Sequence, residues 1–129
     1  MPALSQIKPS YEKDDVNVLR EFVGQSQLAP TPTPSHIKVI DRTIPVRDGA
    51  EIPIRIYSPT NKDAQGSPLI VHYHGGGFML GDLEMNVELC RNYVTNLNAV
   101  VVDVDYRLAP EFPFPIPVND SWDALKWVS

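Results

Sequence analysis

The sequence predicts an α/β fold in which an antiparallel hairpin leads into a parallel βαβα unit. Three observations carry that expectation. Two apolar runs, "PLIVHYH" at 68–74 and "AVVVDVDY" at 99–106, are short and nearly uninterrupted, as strands buried on both faces are. Between them, "LEMNVELCRNYVTNL" at 83–97 repeats its apolar residues at helical spacing. Ahead of them, two alternating stretches flank Asp48-Gly49, a hairpin-turn dipeptide. A strand, helix, strand, helix order with such strands points to a parallel sheet with helices on both faces.

The elements follow in order. "DDVNVLREFVG" at 14–24 reads as a helix with Val16, Leu19, Phe22 and Val23 on one face. Asp14 or Asp15 can cap its start and Gly24 can end it. "APTPTPS" at 29–35 denies backbone donors at every second position and favours extended geometry. It reads as a connector between an arm, residues 1–35, and a main body, residues 36–129; an ordinary surface loop fits it equally. "IKVIDRTIPV" (37–46) and "EIPIRIYSP" (51–59) are the hairpin strands, and Pro53 argues for an edge or outward position. "NKDAQGS" at 61–67 is a polar loop. In the 83–97 helix, Leu83, Val87, Cys90, Val94 and Leu97 form the inner face and Asp82 is the expected N-cap. "RLAPEFPFPIP" is a proline-broken loop, and "VNDSWDALKWVS" a last helix with Val118, Trp122 and Leu125 inward.

Composition excludes several classes. The 129 residues carry 11 basic and 16 acidic side chains, a net charge of -5, with no Lys/Arg-rich run, which argues against nucleic acid as a partner. One cysteine, Cys90, allows no intrachain disulfide and fits a reducing compartment. The N-terminal stretch lacks the apolar core of a signal peptide, and no run reaches the roughly 18 apolar residues of a membrane span. A cytoplasmic location is the expectation. Asp103 and Asp105 share a strand face, but no third ligand accompanies them in the sequence, so no metal and no cofactor is expected.

The chemistry gathers at "HYHGGGFMLGD", residues 72–82. In an open parallel sheet, ligands bind beyond the carboxyl ends of the strands. Adjacent glycines there let the chain turn sharply and aim backbone N–H groups outward, to cradle a phosphate or to hold the oxyanion of a tetrahedral acyl intermediate. Gly75, Gly77 and Gly81 do not have phosphate-loop spacing, and no Gly-Lys-Ser/Thr follows. A glycine-filled turn without chemistry is the bland reading.

"HGGGF" after one strand, followed about thirty residues later by "DYRLAPE" after the next, closely resembles the hormone-sensitive-lipase-like branch of the α/β-hydrolases, carboxylesterases and lipases. The resemblance runs from about residue 37 to Ser129. It implies an α/β-hydrolase core acting on small acyl esters, with the 1–35 arm forming part of a cap. It implies that Gly76 and Gly77 supply the oxyanion-hole N–H groups while Gly75 permits the turn. His74 would brace the loop, or else touch substrate. Phe78 and Met79 would line the acyl pocket, or else fill core. Asp105, Arg107 and Glu111 bring opposite charges together around a tight turn. Arg107 is expected to pair with a carboxylate there and hold the glycine loop, with Asp105 and His74 as further support; a solvated surface charge is the alternative.

The catalytic triad is absent. Such an enzyme needs Gly-x-Ser-x-Gly, then Asp/Glu, then His. None of the serines, at 5, 10, 26, 35, 58, 67, 121 and 129, has glycine at both flanking positions. His36 and His72 lie too early in the chain for the catalytic histidine. The chain therefore reads as the N-terminal part of such a hydrolase, truncated before the nucleophile elbow and inert alone, with an incomplete sheet. The other reading is a short non-catalytic binding protein that self-associates through the open sheet edge.

Overall fold

The computed structural model describes residues 13–61 and 66–129. Residues 1–12 of the expected arm and residues 62–65 of the polar loop lie outside them. Among the described residues, three helices and four strands run α1 (Lys13–Ser26), β1 (Ile37–Pro45), β2 (Glu51–Pro59), β3 (Leu69–Tyr73), α2 (Val87–Leu97), β4 (Val100–Val104) and α3 (Ile116–Val128). They build one sheet in the order β1-β2-β4-β3. The hairpin pairs Ile37 with Pro59 through Pro45 with Glu51. Its turn closes through Val46 N–H to Ala50 O at 2.9 Å, with Gly49 at φ +86°, where glycine is least strained.

The sheet is mixed. β3 and β4 are parallel, in register from Leu69 with Val100 to Tyr73 with Val104, while β2 and β4 are antiparallel. β2 is therefore a central strand, and Pro53 is not on an edge. Pro53 is tolerated because it is exposed and lies just before the β2–β4 ladder, which starts at Ile54. Its carbonyl accepts the Asp105 N–H at 3.0 Å. Among the described residues, β3 has a single strand neighbour, β4.

Side-chain alternation along β4 sorts the core into two layers. Val101 packs with Tyr57, Cys90 and Val94 beneath α2. Val102 and Val104 pack with Ile44, Ile52, Ile54 and Ala124 beneath α3. The helices thus cover opposite faces, as the near-continuous apolar strands predict. The 29–35 segment is bound to α2: Arg91 donates to Thr31 O at 2.7 Å and to Thr33 Oγ1 at 2.8 Å.

The helices depart from their expected faces in three ways. α1 starts at Lys13, so Asp14 and Asp15 fall inside its first turn, and it runs past Gly24 to Ser26. Val16 is buried, but Leu19 and Phe22 are exposed. α2 starts at Val87, and Asp82 instead caps the preceding turn, accepting Glu84 N–H at 2.9 Å. Leu83, Val87, Cys90 and Val94 face inward as expected, while Leu97 is exposed.

α3 is the clearest reversal. Val118, Trp122 and Leu125 were the expected inner face, yet they are 45, 55 and 40 % exposed. Pro117, Asp120, Asp123 and Ala124 are buried in their place. Two arginines explain the rotation. Asp120 takes Arg107, and Asp123 takes Arg47 from the hairpin turn, with the Arg47 N–H at 2.9 Å and Nη2 at 2.8 Å. Ion pairing turns the acidic stripe toward the body, and the apolar stripe consequently faces out.

Arg47 holds the Asp123 carboxyl well below the usual carboxylate range. A carboxyl whose folded pKa is lowered contributes stability that is present above its unfolded value near 4 and is lost as pH falls below it. The melting midpoint is therefore expected to fall between pH 5 and pH 3. Asp123→Asn should flatten that fall; equal pH slopes in the two proteins would overturn the assignment.

Candidate functional site: the glycine loop beyond β3

β3 ends at Tyr73, and residues 74–81 form a tight loop before α2. The Gly76 carbonyl accepts both Met79 N–H at 3.1 Å and Leu80 N–H at 3.0 Å, which pulls the turn closed. Gly76 (φ +122°), Gly77 (φ +61°) and Gly81 (φ +101°) all sit in the left-handed region. A Cβ on Gly76 would meet Leu80 O at 2.1 Å, and one on Gly81 would meet His74 Nδ1 at 2.2 Å. Gly75 has neither constraint: its φ is not left-handed and open space surrounds it. The turn expected of Gly75 is made by Gly76 and Gly77. Phe78 also has a positive φ, +63°, unusual for a bulky residue and a store of roughly 1–3 kcal/mol of strain. Among the described residues, no acceptor takes the N–H of Gly76 or Gly77.

His74 is buried at the base of the loop. Its Nδ1 lies 2.8 Å from Gly75 O, and since a carbonyl only accepts, Nδ1 carries the proton. Nε2 then faces outward from that bond, without a hydrogen-bond partner among the described residues, 3.9 Å from Asp105 Oδ1. Burial pushes the Asp105 carboxyl up, while the nearby His74 draws it down. Tyr106 supplies the strongest bracing. Its hydroxyl donates to His74 O, its ring stacks on the imidazole at 4.4 Å, and the Phe78 ring meets it edge-on at 6.0 Å. Phe78 is 50 % exposed, so it is not core filling. Met79 is part-buried.

The second loop meets the first through Ala109 N–H, which donates to Phe78 O at 2.8 Å. Arg107 does pair with carboxylates, though not with those of its own loop. It forks onto Asp120 at 2.8 and 2.7 Å, reaches Asp48 at 2.8 Å and covers the Phe112 ring at 5.1 Å. It ties the second loop to α3 and the hairpin turn. The guanidinium that hydrogen-bonds the glycine loop is instead that of Arg20 of α1, which donates from Nε to Met79 O at 2.9 Å and pairs with Glu111. Sequence reasoning missed both Arg20 and Tyr106. Tyr106 had a signal, since a tyrosine ending a buried strand needs a partner for its hydroxyl. Arg20 had none, lying 59 residues from Met79 and 91 from Glu111.

One row crosses the sheet on the α2 side: Asp41, Arg55, Asp103 and His72 are successive cross-strand partners. Arg55 donates to Asp41 Oδ1 at 2.7 Å, and His72 Nδ1 lies 2.8 Å from Asp103 Oδ1. His72, Cys90 and Asp103 bring three ligand-type atoms within 4.8 Å of one another, the companions to Asp103 that the sequence did not reveal. The geometry is that of a hydrogen-bonded His–Asp pair beside a thiol. Burial pushes the Cys90 thiol up to about 12, with Asp103 adding to the rise, against the thiolate that a metal takes.

A hairpin, a parallel βαβ unit and a glycine turn beyond the carboxyl end of β3 give the chain the arrangement of the N-terminal part of an α/β-hydrolase core, and its similarities are to the hormone-sensitive-lipase-like branch of that family. The family model described as alpha/beta hydrolase fold matches residues 70–129. Carboxylesterase NlhH of Mycobacterium tuberculosis is 40% identical over 116 residues, which are 89% of this chain and 35% of that protein. Esterase LipI of the same organism is 43% identical over 119 residues, 90% of this chain and 36% of LipI. Among solved structures, the esterase of Pyrobaculum calidifontis superposes with a TM-score of 0.73 at 43% identity, over 88% of this chain and 37% of that one. EstE1, a thermostable carboxylesterase from a metagenomic library, gives 0.74 at 41% identity, over 88% and 38%. The chain thus spans little more than a third of the length of these relatives. No helix among the described residues is long and apolar enough to cross a membrane.

Proposed function

We propose that this chain is the oxyanion-binding part of a serine carboxylic-ester hydrolase whose Ser, Asp/Glu and His are carried outside these residues. The observation that carries the reading is the pair of N–H groups at Gly76 and Gly77, which no acceptor among the described residues takes, in a loop whose His74, Gly75, Gly76, Phe78 and Met79 carbonyls are all hydrogen-bonded. When a serine attacks an ester carbonyl, the carbonyl oxygen becomes an anion. Two preorganised N–H donors stabilise that anion more than the ground-state carbonyl, and losing one such donor costs about 10²–10³ in rate. His74, Asp105 and Tyr106 brace the loop from beneath, and Phe78 and Met79 border the acyl side. The exposed β3 edge and the bare apolar stripe of α3 are surfaces that further sheet and chain would cover. The non-catalytic alternative has no support among the relatives.

The test is the native transcript downstream of codon 129. A Gly-x-Ser-x-Gly run within about 15–40 codons is expected, from the strand-turn-helix geometry of a nucleophile elbow. A stop codon directly after Ser129 would overturn the reading. The 129-residue chain itself is expected to leave p-nitrophenyl esters at their background hydrolysis rate, and measurable turnover would contradict the placement of the nucleophile.

A further inference from the structure

We propose that Arg20 of α1 is a positioning residue for the glycine loop, clamping the N-terminal arm, residues 76–80 and the second loop into one unit. The functional meaning of the clamp rests on the oxyanion reading above; its existence does not. One guanidinium makes four hydrogen bonds to three places. Nε donates to Met79 O at 2.9 Å, and Nη2 to Ala109 O at 3.0 Å. Nη1 and Nη2 fork onto the two Glu111 oxygens at 2.8 and 3.0 Å. Only the planar five-donor head of arginine can serve two carbonyls and a carboxylate together; a lysine ammonium offers three donors and no fork.

The placement matters because the anchored carbonyls are consecutive. Phe78 O is held by Ala109 N–H, and Met79 O by Arg20, while Ala109 O returns to the same guanidinium. This closes a ring of hydrogen bonds around the Phe78–Met79 and Met79–Leu80 peptide units. Phe78 sits inside it at φ +63°, a conformation that persists only when its surroundings enforce it. The link runs the other way too. α1 buries Val16 but leaves Val18, Leu19 and Phe22 exposed, and among the described residues its side-chain hydrogen bonds to the rest of the chain are those of Arg20. Displacing α1 would release the loop.

The experiment is residue-resolved amide exchange and ¹H–¹⁵N shifts of the 129-residue chain, in Arg20→Gln, Arg20→Lys and Glu111→Gln. Both Arg20 variants should speed exchange at Met79, Leu80 and Ala109 about tenfold or more, the loss expected for charge-assisted bonds, and shift the Gly76 and Gly77 amides. The β1–β2 ladder should keep its protection. Glu111→Gln leaves the two carbonyl bonds in place and should keep the loop protected. Unchanged loop amides in both Arg20 variants would overturn the clamp, as would equal loss of protection throughout the sheet, or a Glu111→Gln effect as large as that of Arg20→Gln. A missing downstream serine motif would instead sink the esterase reading and leave these amides as they are.

Discussion

Gly76→Ala is expected to lower the melting midpoint by about 10 °C, while Gly75→Ala, one residue earlier, leaves it nearly unchanged. The two glycines look alike in "HGGGF", but the structure separates them. At Gly76, φ is +122° and a Cβ would stand 2.1 Å from the Leu80 carbonyl oxygen and 2.6 Å from its carbonyl carbon. Both are backbone atoms, so no rotamer change relieves the overlap. Leu80 cannot retreat, because its own N–H is tied to Gly76 O at 3.0 Å. Left-handed strain of roughly 1–3 kcal/mol adds to the clash, giving a loss of about 3 kcal/mol, which for a chain of this size is about 10 °C. At Gly75 there is no strained φ and no atom within 4 Å of the added methyl. Its alanine should fall within about 0.5 kcal/mol of the parent, or stabilise slightly by restricting the unfolded chain. Thermal melts of the two variants decide the matter, and similar midpoints would show that the turn does not need the Gly76 conformation.

Arg107→Ala should have an effect of similar size for an electrostatic reason. Asp120 is 1 % exposed, and its carboxylate takes Arg107 N–H at 3.0 Å, Nε at 2.8 Å and Nη2 at 2.7 Å. Removing the guanidinium leaves a buried charge with only the backbone donor, and breaking such a pair costs about 3 kcal/mol or more. The Asp48 contact and the stacking on Phe112 are lost with it. A fall in the melting midpoint of about 10 °C is expected. Adding Asp120→Asn to Arg107→Ala should recover part of that loss, because the uncompensated charge is gone. An unchanged midpoint in Arg107→Ala would mean that the pair is solvated and contributes little.

Local pattern reached far into this protein. Strand and helix types, the hairpin, the order of elements and the glycine loop beyond β3 were all readable, because apolar periodicity and the Asp48-Gly49 and Gly75-Gly76-Gly77 runs are properties of adjacent residues. A carboxylate partner for Arg107 was legible as a need, but not which carboxylate. Asp120 is 13 residues away and Asp48 lies in the hairpin turn.

The inner face of α3 shows the limit most clearly. Hydrophobic spacing chose Val118, Trp122 and Leu125, yet packing chose Asp120, Asp123 and Ala124. Burying a stripe on one face is decided by what the opposing surface offers, and here that surface offers Arg47 and Arg107. The roles of Arg20 and Tyr106 belong to the same class. A guanidinium meets carbonyls 59 and 89 residues away only after the sheet has brought the two loops together. Sequence alone therefore determined the elements and their chemistry-bearing turn, since these depend on local dihedral preference and apolar periodicity. Tertiary structure alone decided which charged group holds which loop, since ion pairs and clamps depend on distances that only the packed chain defines.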